Sequence, residues 1–217
     1  MNILNLITNP INAIIFLLGI VAAITVHEFA HAWTADRLGD DTPHLMGRVT
    51  LNPLAHLDPI GSIMFLLVGF GWGKPVIYNP MRLSRRVDEL LIALAGPFSN
   101  ILFAIVLNLL AVSLPHFLPN ANVQPILIAS TLNIYLAAFN ILPIPPLDGS
   151  SIVAYFWPEY RSLVGGQIGF IILISLILLS SFGGGNLLSA IITPFINAFA
   201  HASTLFGLIH LWPLVSF

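Results

Sequence analysis

The chain has 217 residues, of which 57% are hydrophobic and only 7% charged, with a mean hydropathy of +0.94 and a formal net charge of −2 at pH 7. A soluble domain carries about 25% charged residues, so this composition excludes an ordinary soluble protein, and the slight negative charge argues against a nucleic-acid partner. The absence of cysteine excludes disulfides, iron–sulfur ligation and a thiol nucleophile, and leaves His, Asp and Glu as metal ligands.

No polar segment, Ser/Gly-rich stretch or charge run divides the chain, so a single membrane-embedded domain is expected over 1–217, with a motif-bearing core at about 11–150 and C-terminal helices over 163–212. The N-terminus lacks a basic region and a cleavage pattern, so the first apolar segment is expected to be retained. A helix of about 20 residues spans the ~30 Å hydrocarbon layer. By that ruler the first span begins after Asn9-Pro10, a cap and a first-turn proline, and runs to Leu38 before Gly39. Ile60 to Phe70 is too short to cross before it breaks into Gly71-Trp72-Gly73-Lys74-Pro75, so it is expected to be re-entrant. Val76, Tyr78 and the nearby prolines suggest a short extended β-hairpin there.

A second span is expected from Val87 to Leu114, opened by Ser84 with Asp88 and Glu89 in its early turns and kinked at Gly96-Pro97. The third runs from Val123 to Leu142, stopped by Pro143, Pro145 and Pro146. Leu163 to Phe182 and Leu187 to about Trp212 follow, joined by Gly183-Gly184-Gly185. The expected fold is an all-α polytopic membrane protein of about five transmembrane helices plus the re-entrant segment. That count puts Arg37, Arg48, Lys74, Arg82, Arg85, Arg86 and Arg161 on one side, while the loops near Asn2, His116 and Gly184 carry no Lys or Arg. The positive-inside tendency then predicts a cell-membrane protein with the N-terminus outside and the C-terminus cytoplasmic.

Within the first span stands His27-Glu28-Phe29-Ala30-His31. Residues four apart on a helix share a face, so both imidazoles can ligate one metal, with Glu28 beside them to handle a proton. Given the His and Glu content of this chain, about 0.003 chance matches to such a pattern are expected. His27 lies ~24 Å along the helix from Ile11 at 1.5 Å per residue, which puts it in the cytoplasmic leaflet. Ala23, His27, His31 and Ala35 form one row in which small residues leave room for a partner helix or peptide. A catalytic zinc site usually takes a third protein ligand, for which Asp148, His56, Asp58 and Glu159 are candidates. Asp148 stands out because the run Asn140 to Gly149 terminates a span on the same side as His27, where an unpaired carboxylate is costly. The plainer reading of Asp148 is a cap for the segment that follows.

With these motifs the chain resembles the site-2 protease family of intramembrane zinc metalloproteases. The resemblance rests on the helical HExxH, then Asn52-Pro53-Leu54-Ala55-His56-Leu57-Asp58-Pro59, then Gly71-Trp72-Gly73-Lys74-Pro75-Val76, then Ala95-Gly96-Pro97 with Asn100, then Asn140 to Gly149. These cover about residues 20–150 in the family's order. The resemblance implies a compact member without PDZ or CBS domains and one zinc ion per chain, held by His27, His31 and Asp148. Glu28 is then the catalytic acid and base, and Asn140 contacts the substrate backbone or orients the site. The partners it implies are the lipid bilayer and a transmembrane protein or peptide substrate. A helical substrate hides its peptide carbonyls, so local unwinding is expected, with the unwound strand pairing with the Gly71–Pro80 segment by edge addition.

His56 is expected either to donate to an oxyanion or to hold its loop near the metal, and Asn100 to bond another helix or the substrate. Asn108, His201 and His210 read as packing or interfacial residues, and Trp33, Trp72, Trp157 and Trp212 as interfacial anchors. The rival class is a zinc transporter, which needs further His or acidic residues on a path to the outside. The outer halves of these spans offer only His116 and, near an end, Asn12.

Overall fold

The structure, a computed structural model, describes residues 10–68, 71–182 and 187–205. Helix α1 (Pro10–Arg37) opens on the expected proline, whose missing N–H would have no partner in a first turn anyway. Gly39 follows at φ 105°, a conformation glycine reaches without strain, and turns the chain towards Asp40. Helix α2 (Thr42–Leu45) and a 3-10 turn (Pro53–Ala55) lead to α3 (Pro59–Val68). The 10 residues of α3 reach about 15 Å, half the hydrocarbon layer. A Cβ added to Gly61 would lie 2.2 Å from the carbonyl oxygen of Trp72, so the chain beyond α3 returns against that helix's first turn.

The expected hairpin is not formed among the described residues. One isolated antiparallel bridge joins Leu57 to Gly73, and 74–79 run on as an unpaired strap. Pro75 and Pro80 bracket this strap and cannot donate to a ladder, which accounts for the missing second strand. Gly69 and Phe70 lie outside the described residues.

A 3-10 turn (Pro80–Arg82) precedes α4 (Arg86–Phe117), which continues through Pro97 and Pro115. The carboxylate of Asp88 accepts the Arg85 backbone N–H at 2.8 Å and its guanidinium at 2.8 and 3.0 Å, satisfying the helix start. Helix α5 (Gln124–Asn140) ends at the proline-rich loop, and α6 (Asp148–Phe156) and α7 (Tyr160–Val164) follow. The expected span from Leu163 is divided: Gly165 is extended and Gly166 has φ 62°, so α8 (Gln167–Phe182) starts anew. Helix α9 (Leu187–Leu205) is the last described element. The Gly183–Gly185 link, the side chains of Asn12, His201 and His210, and the expected end at Trp212 lie outside the described residues.

Among the described residues, two helical segments, Ala13–Arg37 and Arg86–Phe117, are long and apolar enough to cross a bilayer. Helices α5, α8 and α9 are shorter, at 17, 16 and 19 residues. Beside an apolar core, the helices bury an unusual number of polar side chains and expose large apolar ones. Leu18, Phe98 and Leu102 face outward, while Asn100, Asn133, Ser130, Thr131 and Asn108 are buried. Polar groups in hydrocarbon must find partners within the protein, so this arrangement places the chain in a membrane.

Helices α1, α4 and α5 pack against one another through small residues, with Ala23, Ala32, Ala35, Ala104, Ala137 and Ala138 all buried. Without a hydrophobic drive between helices in lipid, such residues let the backbones approach for dispersion and hydrogen bonding. A second seam joins Ala104, Ile134 and Ala138 to Ile192 and Ile196 of α9.

Candidate metal centre and active site

Because α1 is helical through its second half, His27 and His31 project from one face, their rings edge to face with centroids 4.6 Å apart. Each ring is fixed through its Nδ1. His27 Nδ1 lies 2.7 Å from Asn100 Oδ1 on α4, and His31 Nδ1 lies 2.7 Å from the Ile92 carbonyl on the same helix. Both partners are acceptors, so each neutral imidazole carries its proton on Nδ1 and leaves a lone pair on Nε2.

The two Nε2 atoms stand 3.1 Å apart, and Asp148 Oδ2 lies 3.1 Å from His27 Nε2 and 3.3 Å from His31 Nε2. Asp148 is the first residue of α6, so its carboxylate faces the positive end of that helix. Oδ2 is buried without a hydrogen-bond donor. Three lone-pair atoms crowded together repel one another unless a cation is shared. Ligand atoms 2.0–2.1 Å from a tetrahedral centre stand about 3.3 Å apart, which is the spacing found here. The donor set therefore fits zinc on its own geometry.

Gly96 makes this approach possible. A Cβ there would meet His31 Nε2 at 2.4 Å and His27 Cε1 at 2.6 Å, so α4 can lie against both imidazoles only without a side chain. Gly149 acts similarly beneath Asp148, where a Cβ would stand 2.0 Å from the Ile141 carbonyl oxygen. At its far end α6 is tied to α4, the Arg86 guanidinium lying 5.3 Å from the Tyr155 ring centroid and donating to the Tyr155 carbonyl.

Glu28 is half-buried, and its Oε2 accepts the backbone N–H of Val76 at 3.1 Å. The strap is thus moored to α1 at its centre. Upstream, the Lys74 N–H donates to the His56 carbonyl at 2.7 Å, and the buried Arg48 guanidinium holds the carbonyls of Ala55 and Lys74. Downstream, the buried Asp40 carboxylate accepts the Asn79 N–H at 2.5 Å, the Thr42 hydroxyl at 2.5 Å and the Thr42 N–H at 3.1 Å. Burial pushes the Asp40 carboxyl upward, but these hydrogen bonds and the Arg82 charge outweigh it and hold the group below the usual carboxylate range.

The other residues singled out in the sequence fall in different places. Asn100 touches His27 and, through Nδ2, donates to Asn133 Oδ1 at 2.7 Å and to the Ala23 carbonyl at 3.0 Å. His56 is buried, with Nε2 2.7 Å from the Thr50 carbonyl, inside the loop that anchors the strap. Asn140 Nδ2 donates to the Leu136 carbonyl of its own helix at 3.0 Å. Asp58 Oδ1 accepts the Gly61 N–H at 2.8 Å at the start of α3, and Glu159 precedes α7. Among the described residues, the group able to hold a metal is His27, His31 and Asp148. Asn133 escaped the sequence reading, although an amide in an apolar helix is the same signal that marked Asn100.

The family model of Peptidase family M50 matches residues 15–124 and 117–182. The chain belongs to peptidase family M50. Membership agrees with the motif order that suggested the site-2 proteases. Among curated relatives, "Putative zinc metalloprotease YwhC" of Bacillus subtilis is 38% identical over 146 residues, 62% of this chain and 65% of that protein. "Putative zinc metalloprotease Rip2" is 30% identical over 175 residues in Mycolicibacterium smegmatis, covering 76% of this chain and 67% of the relative. The protein of the same name in Mycobacterium tuberculosis is 30% identical over 169 residues, covering 74% and 64%. The chain thus spans about 65% of the length of the M50 relatives it matches first. No solved structure matches it.

Proposed function

We propose that this M50 chain is an intramembrane zinc metalloprotease that hydrolyses peptide bonds within transmembrane segments of membrane proteins. The observation that carries the reading is the triangle of His27 Nε2, His31 Nε2 and Asp148 Oδ2, with 3.1–3.3 Å sides, on the helix that also bears Glu28. When bound there, zinc supplies a Lewis acid for the scissile carbonyl and acidifies a water. Glu28 accepts a proton from the attacking water on the oxygen that Val76 leaves free. As the water oxygen bonds the carbonyl carbon and the C–N bond breaks, Glu28 returns that proton to the departing amine. Asp148 and the two imidazoles hold the ion, and Asn100 and the Ile92 carbonyl orient the rings. Asn140 contacts the substrate backbone or orients the site, and His56 holds the strap's anchor loop.

The same reading places five helices across the membrane, with α3 re-entrant, the N-terminus outside, the C-terminus in the cytoplasm and the site in the cytoplasmic leaflet. A helical substrate hides its carbonyls, so it unwinds locally and pairs with the unladdered backbone of the strap.

Two variants separate the roles at the metal. Glu28→Gln retains about one zinc per chain and loses cleavage by at least about 100-fold, the scale of general acid–base catalysis. His31→Ala loses both. Full proteolysis by purified Glu28→Gln, measured on a transmembrane peptide in detergent, overturns the assignment. Zinc carried by His31→Ala at wild-type affinity overturns the ligand set.

A further inference from the structure

Four acceptor–donor contacts run in a single direction across three helices. His27 Nδ1–H points to Asn100 Oδ1, and Asn100 Nδ2 donates to Asn133 Oδ1 and to the Ala23 carbonyl. Asn133 Nδ2 in turn donates to the Ala129 carbonyl of its own helix at 2.8 Å. The direction follows from the last of these contacts. A carbonyl oxygen only accepts, so Asn133 must face Ala129 with its NH2 group and turn its oxygen towards Asn100. Asn100 must then present an N–H to that oxygen, which aims its own oxygen at His27. Asn100 and Asn133 are both fully buried, so neither amide can exchange a partner for water.

We propose that Asn133 is a positioning residue for the metal centre. Together with the Ala23 carbonyl it locks the Asn100 amide, and through it holds His27 in the tautomer whose Nε2 lone pair faces Asp148. The inference rests on the zinc reading for its functional consequence, but the tautomer itself is a property of the metal-free protein. Asn133 touches neither a ligand nor the substrate. Its effect on the centre passes through Asn100, in the way that partners beyond the ligands fix ring orientation and basicity. The contact also crosses from α4 to α5, so packing of α5 is coupled to the state of a ligand on α1.

The acceptor role and a mere packing role predict opposite orders for two substitutions. Asn133→Leu keeps the branching at Cγ but loses the acceptor. Asn133→Asp keeps an oxygen towards Asn100, and if protonated it also restores the donor to Ala129. The experiment uses the full chain in detergent, reading zinc affinity by chelator competition and the His27 ring by 15N chemical shifts without metal.

The expected result is a zinc affinity about 10-fold weaker in Asn133→Leu, with loss of a single Nδ1–H tautomer at His27. Asn133→Asp should rescue both, to within about threefold in affinity. If Asn133→Leu does not fold, Asn133→Ala removes the acceptor without added bulk and carries the same expectation. A leucine or alanine variant that keeps the wild-type tautomer and affinity overturns the proposal. So does the reverse order, in which Asp is damaging and Leu neutral. Absence of zinc binding in the wild-type chain overturns the zinc reading instead, and the 15N spectra still decide the role of Asn133.

Discussion

A single methyl group would close the space between α4 and the two imidazoles. Gly96 was expected from the sequence to help kink its helix, and the nearest atoms to a Cβ placed there are His31 Nε2 and the Cε1 atoms of both rings. Nor can the obstruction be relieved by a flexible side chain, because the rings are pinned by Asn100 and Ile92. Gly96→Ala should therefore tilt the imidazoles away from Asp148 and weaken zinc binding about 10- to 100-fold, the range found when ligand orientation is lost. Chelator competition on the purified variant checks this, and an unchanged affinity would show that α4 can retreat at no cost. A related discrimination operates among carboxylates. Asp58 and Glu159 looked like alternatives to Asp148 in the sequence, but Asp58 is engaged at the start of α3 while Asp148 Oδ2 has no donor.

At the level of elements, the strap over 74–79 is held at both ends and in the middle, by the 48–57 loop, by Asp40 and by Glu28. It lacks the ladder that would make it a hairpin strand, so its order depends on these individual bonds. Asp40 is the downstream anchor, and its depressed pKa fixes the sign of a pH effect. A carboxylate whose folded pKa lies below its unfolded value stabilises the fold above the unfolded value, and that contribution disappears as pH falls through the folded one. Asp40→Asn should lower the melting temperature by about 3–10 °C at neutral pH, since hydrogen bonds to a charged acceptor are removed. The difference from wild type should begin to shrink below about pH 4, where the carboxyl of the unfolded chain protonates, and vanish as pH falls through the lower folded value. Thermal unfolding followed in detergent across that range is the check, and a gap that persists unchanged at low pH would assign the stabilisation to another group.

For the molecule as a whole, buried amides and hydroxyls such as Asn100, Asn133 and Ser130, set against exposed apolar residues such as Leu18, Phe98 and Leu102, fit a bilayer as its solvent. Orientation is a separate matter, carried by the positions of the seven basic residues. Ser84, Ser162 and Asn120 are exposed, and the chain has no cysteine of its own. Single cysteines at Ser84 and Ser162 should react only with a cytoplasmic reagent, and one at Asn120 only with an external one. External labelling at Ser84 would mean that the segment containing α3 crosses the membrane, and the re-entrant reading would fall with the proposed role of the strap.

The sequence by itself determined what depends on neighbours along the chain. Membrane character followed from composition, α1 from its proline start and glycine stop, and the pairing of His27 with His31 from the 3.6-residue period of one helix. Family membership was legible because the motifs recur in order. Local rules also failed in local ways: the break before α8 came from the Gly165-Gly166 pair, and the hairpin was lost for want of a donor at Pro75 and Pro80. Asp148 already stood out in the sequence, but which glycine leaves room beside the histidines and which amides stand behind His27 were decided by tertiary structure alone. Those contacts join residues 73 and 33 positions apart, His27 with Asn100 and Asn100 with Asn133, and depend on the depth and rotation at which α4 and α5 pack against α1. No periodicity within one helix encodes that rotation; it is set by alanines of several helices fitting together where lipid supplies no hydrophobic drive.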